Sequence, residues 1–158
     1  MTEHTKSFIP IIHLFVKQYN NESDLFIKKK LKEALKDTLK KMTDQKVTMV
    51  SKAVMEACTK IDVDPFELLW TKRNVLGKDE NGKSLLLWEH TTPLAEYFEA
   101  LVSCETIIEI NEIIKNYSGV CWLMRHEDNL LNKCGFRSKR PGGWKETYAK
   151  CNIQVIQK

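Results

Sequence analysis

Two adjacent titratable residues, Glu89 and His90, close the apolar run "SLLLWEH". If that run is a strand, successive side chains point to opposite faces, so only one of the pair joins the core-facing row. A buried carboxylate without a partner costs several kcal/mol, so Glu89 is expected to meet a cation, a metal or solvent. An imidazole, whose ordinary pKa lies near neutrality, can serve as a general base beside it. A hydrolytic centre has this pattern. So does a strand-to-helix corner held by hydrogen bonds.

A second constellation is "FRSKRPGGWKETYAK", where Arg137, Lys139, Arg140 and Lys145 are interleaved with Phe136, Trp144 and Tyr148. Cationic forks and ammonium groups bind phosphates, and aromatic rings stack on bases. This loop is the expected polyanion-facing surface, with Trp144 either a stacking platform or an anchor into the domain. A third basic feature is the row Lys29, Lys32, Lys36 and Lys40, at helical spacing. Lys29, Lys32 and Lys36 are candidate phosphate contacts, and a solvated helix face is the alternative.

The segment "EHTTPL" resembles the first motif of HNH, or ββα-metal, nucleases, in which an acidic residue and a histidine precede a proline. The resemblance implies that Glu89 holds a divalent cation, Mg²⁺ or Mn²⁺. It also implies that His90 activates a water for attack on a phosphodiester. That family closes its site with an Asn or His on a following helix, and "RHEDNLLNKCGF" offers His126, Asn129 and Asn132. His126 and Asn132 would complete the metal site with Glu89. A phosphodiesterase of restriction or mobile-element type is the activity so implied.

The elements that must position these groups can be read from periodicity and punctuation. "SDLFIKKKLKEALKDTLKKM" sets Ile27, Leu31, Leu35, Leu39 and Met42 on one helical stripe, with Ser23 as the expected N-cap. "QKVTMVSKAVMEACTKI" repeats Val47, Val50, Val54 and Cys58 at helical steps. "DVDPFELLWTKR" carries Asp64 as cap, Pro65 at the first helical position and Glu67 in capping-box register. A helix there would turn Phe66, Leu69 and Trp70 inward. Asn81-Gly82 signals a tight turn, with "LLLWEH" as a short strand after it and "RNVL" as its candidate partner. "LAEYFEAL" and "TIIEINEIIKNY" are helical, the second with Thr106 and Glu109 as a capping box and Ser118-Gly119 at its end. "VCWLM" reads as a strand and "HEDNLLNK" as a helix stopped by Gly135. A short helix near "WKETYAK" and an extended end follow. The expected class is mostly α with a small β hairpin or sheet in the C-terminal half, an α+β single domain over residues 1–158. Its helical part covers about 1–74 and its α+β part about 75–158.

Composition bounds the function classes. Hydrophobic residues at 42% and charged residues at 29% suit an ordinary globular chain, and no window approaches a membrane span. The apolar patch near the start is interrupted by Pro10 and His13 with no small-residue cleavage site, so no secretory signal is expected. Five cysteines, none in a C-x-x-C pair, favour free thiols in a reducing, cytoplasmic setting. Cys121, His126 and Cys134 lie near one another in sequence but lack the paired spacing of structural zinc sites. The net charge of +4 permits a polyanionic partner. No organic cofactor is expected. The leading expectation is nucleic-acid association, most readily with DNA, with catalysis open. The alternatives are a non-catalytic helical binding module and a small protein–protein regulator of inhibitor or immunity type.

Overall fold

The computed structural model describes residues 1–43 and 46–158. In chain order the elements are α1 (Glu3–Ser7), α2 (Ile9–Asn21), α3 (Leu25–Lys41), β1 (Met49–Ser51), α4 (Lys52–Thr59), a 3-10 turn (Trp70–Lys72), β2 (Leu86–His90), α5 (Leu94–Val102), α6 (Ile107–Tyr117), β3 (Val120–Met124), α7 (Arg125–Lys133), α8 (Gly143–Lys150) and β4 (Val155–Gln157). The class is α+β. Two compact units result, one from residues within 1–44 and 92–118, the other from residues within 45–91 and 119–158. Among the described residues no helix is long and apolar enough to cross a membrane.

The helical unit forms because its helices each carry one apolar stripe. Leu35, Leu39 and Met42 of the α3 stripe are fully buried, and they meet Ile12 and Val16 of α2, Tyr97, Phe98 and Leu101 of α5, and Ile110 and Ile114 of α6. Pro10 falls in the first turn of α2, where its missing N–H breaks no intrahelical bond. Helix α3 is capped by Asp24, not Ser23. The Asp24 carboxylate accepts from the amides of Phe26 and Ile27, and its charge also suits the positive end of the helix. Ile27, expected on the buried stripe, is instead exposed one turn from that end. The capping box of α6 is present, with Thr106 and Glu109 each accepting from the other's backbone amide.

The α/β unit is built on a four-stranded sheet of order β2-β3-β1-β4. Strands β1 and β3 are parallel, while β4 pairs antiparallel with β1 and β2 antiparallel with β3. One sheet face collects Val47, Val50, Leu86, Val120 and Trp122 with Val54 and Cys58 of α4. The other collects Met49, Cys121 and Leu123 with Leu131 of α7 and Tyr148 of α8. Strands covered on both faces read as continuous apolar runs, which is why "VCWLM" carries no alternation.

Three expectations need correction here. Met49–Ser51 is a strand, not helix, and the helix begins only at Lys52, where Ser51 Oγ accepts from the amide of Val54. Val47, Val50, Val54 and Cys58 share one cluster because a strand and the helix after it cover the same sheet face, and this mimics helical spacing. Gln45, the first residue of that expected helix, lies outside the described residues. The segment after Asp64 forms turns and a 3-10 turn. Asp64 does cap, accepting from Phe66 N, but Lys46 and Lys158 draw Glu67 away from the backbone. Trp70 is consequently 49% exposed instead of buried. The tight turn at Asn81-Gly82 is present, with Gly82 at φ 72° and Asp79 accepting from the amides of Asn81 and Lys83. The partner of β2 is β3, however, and not "RNVL".

Candidate functional site

Glu89 and His90 sit at the end of β2, opposite Cys121 and Val120 of β3. Alternation sends them to different faces of the sheet. Glu89 shares its face with Tyr148 and Arg140, whose Nη2 donates to Glu89 Oε1. The same guanidinium donates from Nη1 to the carbonyls of His90 and Thr91, both at 2.6 Å, and lies 5.2 Å from the centre of the Tyr148 ring. Arg140 is only 3% exposed. Burial raises the Glu89 carboxyl above its ordinary value despite the pull of Arg140, and Asp128 adds to the rise. Burial likewise holds the Tyr148 hydroxyl well above the usual phenol range. One arginine thus clamps the strand exit, reaching the Glu89 carboxylate and the carbonyls of His90 and Thr91.

That clamp stands where the chain leaves the sheet at Thr91 and returns to it at Gly119. Thr91 donates from both its amide, at 2.9 Å, and its hydroxyl, at 3.0 Å, to the carbonyl of Gly119. A Cβ on Gly119 would lie 2.5 Å from Thr91 Oγ1, so only glycine fits this approach.

The other members of the expected metal site are dispersed. His126 follows the end of β3 that pairs with Leu86, the opposite end of the β2–β3 ladder from His90. It is exposed and lines a separate hollow with Lys52, Glu56 and Cys151. Asn132 is exposed, and its side-chain amide donates to Asp128 at 3.1 Å. Asn129 is also exposed. Among the described residues no group of three or more His, Cys, Asp or Glu side chains is placed to hold a metal ion.

The basic loop divides. Arg137, Lys139 and Lys145 are exposed, whereas Arg140 points inward and is corrected from phosphate contact to buried clamp. Its residue type alone could not tell it from Arg137. Trp144 is half-buried against Tyr148 and the apolar cluster of that face, the anchoring role, with the Lys145 ammonium 5.7 Å from its ring centre. The lysine row of α3 lies on the helical unit. Lys29 is exposed, while Lys32 and Lys36 lie over the Phe98 ring, at 4.7 and 5.8 Å. Partial burial, followed by repulsion from Lys32 and Lys40, lowers the Lys36 ammonium. Part of this row therefore covers apolar surface with its stems.

One constellation escapes sequence reading. Trp70, Arg73, Lys78, Lys83, Trp88 and Arg125 line an open cleft of about 400 Å³ on the α/β unit. The Arg73 guanidinium lies over the Trp70 ring, 4.3 Å from its centre. Ser84 Oγ donates to the Arg73 carbonyl at 2.5 Å, tying the 3-10 turn to the approach of β2. Arg125 Nε donates to the Ser84 carbonyl at 2.7 Å and lies 3.5 Å from Asp79. Trp88 meets the buried Trp122 edge-on at 4.9 Å. The available signal was a cluster of cations and tryptophans flanking the Asn81-Gly82 turn, which looks like ordinary loop composition.

Charge separates by unit. Residues 45–91 and 119–158 carry fifteen Lys and Arg against ten Asp and Glu, whereas residues 1–44 and 92–118 carry ten against eleven. The whole positive excess belongs to the α/β unit. Fold and site together define an α+β protein with a cationic, aromatic-lined α/β unit. In comparisons with known proteins, no family model, curated protein or solved structure matches the chain.

Proposed function

We propose that this protein associates with nucleic acid through its α/β unit. The observation that carries the reading is the charge distribution. Residues 130–145 contain five cations and no carboxylate, and Lys133, Arg137, Lys139 and Lys145 among them are exposed. Such a stretch releases counterions from a phosphate chain, which supplies sequence-independent affinity. The aromatic-lined cleft adds stacking surface on the same unit. Its proposed setting is cytoplasmic, where its thiols stay reduced.

Binding rather than catalysis is proposed, because Arg140 engages the Glu89 carboxylate and the register sets His126 at the far end of the ladder. Anisotropy of labelled DNA in low salt, with and without Mg²⁺ or Mn²⁺, tests this. Metal-independent binding without cleavage supports the proposal. Cleavage lost on His90→Ala would instead establish the phosphodiesterase reading, and no binding at all would remove both.

A second reading has its own observation. On the helical unit, Leu14, Leu25, Phe26 and Ile108 are all largely exposed. Apolar exposure of this kind suits docking of a protein partner, the regulator class.

A further inference from the structure

We propose that the cleft between Trp70 and Trp88 takes an unstacked base of a single-stranded nucleic acid. This deepens the nucleic-acid reading above and rests on it. The cleft offers two indole rings, one of them half-exposed on a basic surface, and among the described residues no Asp or Glu lines it. The Arg73 guanidinium lies over the Trp70 ring, 4.3 Å from its centre, which holds the ring and sets a cation against it. Lys78 and Lys83 flank the turn, and among the described residues neither they nor Arg73 is ion-paired to a carboxylate. Arg125 is partly neutralised by Asp79 and anchored on the Ser84 carbonyl, so it shapes the wall. Asn74 supplies an amide able to pair with a base edge.

The chemistry separates a strand from a duplex. A π-face is available for stacking only where bases are unstacked, and aromatic platforms beside cationic grooves are how single strands are held. The lysines of the Asn81-Gly82 hairpin would take the flanking phosphates while Trp70 takes the base. A cleft of about 400 Å³ is large enough for such a ligand, since pockets for small organic groups start near 300 Å³. A simple anion site would need the cations but not the tryptophans.

The test uses the full chain and three labelled probes in low salt: a short single-stranded DNA, an abasic strand of equal length and charge, and the RNA counterpart. Stacking of one base predicts that the abasic strand binds roughly tenfold more weakly. Trp70→Ala should weaken the base-bearing strand by about the same factor and leave the abasic strand unchanged. Arg73→Ala should act in the same direction. Trp70 is half-exposed, so the urea midpoint of its variant should match the parent. Base dependence with DNA, with RNA or with both supports the proposal, and the tighter probe identifies the sugar. Equal affinity for base-bearing and abasic strands, or equal loss of both on Trp70→Ala, overturns it while leaving nucleic-acid association standing. If the parent protein retains no strand at all, the broader reading fails together with this one.

Discussion

Replacing Arg140 with methionine should destabilise the α/β unit strongly without making the folded protein a poorer binder. Methionine fills most of the buried space but leaves the Glu89 carboxylate without its counter-ion and the carbonyls of His90 and Thr91 without donors. Removing one partner of a buried ion pair costs about 3–5 kcal/mol. Each stranded polar group costs about 1–3 kcal/mol. These losses overlap, because Glu89 is partly exposed and can take up a proton, so a deficit of about 3–4 kcal/mol is expected at pH 7. All four tryptophans, Trp70, Trp88, Trp122 and Trp144, belong to the α/β unit, so intrinsic fluorescence in urea reads that unit. The midpoint should fall by roughly 1–2 M. Arg140 lowers the Glu89 carboxyl against the upward push of burial, so its loss must raise that group further. A group whose folded pKa is raised gives its full stability below the unfolded value, near 4.5, and loses it as pH climbs through the folded value. The deficit of Arg140→Met should therefore shrink toward pH 4 and widen from there to pH 7. Glu89→Gln removes this titration, so the deficit of Glu89→Gln combined with Arg140→Met, measured against Glu89→Gln alone, should no longer depend on pH. A single variant within about 1 kcal/mol of the parent at pH 7 would refute the clamp.

Other outcomes follow from the same geometry. Arg137→Ala with Lys145→Ala should leave the urea midpoint unchanged and reduce the salt slope of single-strand binding by about 1.4, since each lost phosphate contact removes about 0.7. Gly119→Ala drives a Cβ to 2.5 Å from Thr91 Oγ1 and should lower the fluorescence midpoint, because the Thr91 bonds to the Gly119 carbonyl hold the two chain passages together. Native-state alkylation at pH 8, read by peptide mass, should modify Cys134 first, since it alone of the five thiols is exposed. Cys151, pushed up to about 11 by burial and by its neighbour Cys134, should stay protected until the protein is unfolded.

What could be read from the chain follows the range of the interactions involved. The α6 capping box and the buried part of the α3 stripe depend on residues three or four apart, and both stand as expected. The Met49–Ser51 strand was hidden because its valines continue into α4 on one sheet face, which reproduces helical spacing without a helix. Asp64 and Pro65 punctuate a turn as well as they punctuate a helix start, and Glu67 is claimed by Lys46 and by Lys158 far along the chain. Arg137 and Arg140 are the same residue type three positions apart. What turns Arg140 inward, the Glu89 carboxylate with the carbonyls of His90 and Thr91, lies forty-nine to fifty-one residues away. The Trp70–Trp88 cleft draws on residues from 70 to 125, and none of them signals a site by itself.

The most direct measurement is the affinity of the intact chain for a short single-stranded DNA across a salt series. If Lys133, Arg137, Lys139 and Lys145 each meet a phosphate, they make the logarithm of the association constant fall against the logarithm of salt with a slope of about −3 or steeper, at about 0.7 per contact, Lys78 and Lys83 adding to it where they too meet the strand. A slope near zero, or no association even at low ionic strength, would contradict the proposal that the α/β unit binds nucleic acid.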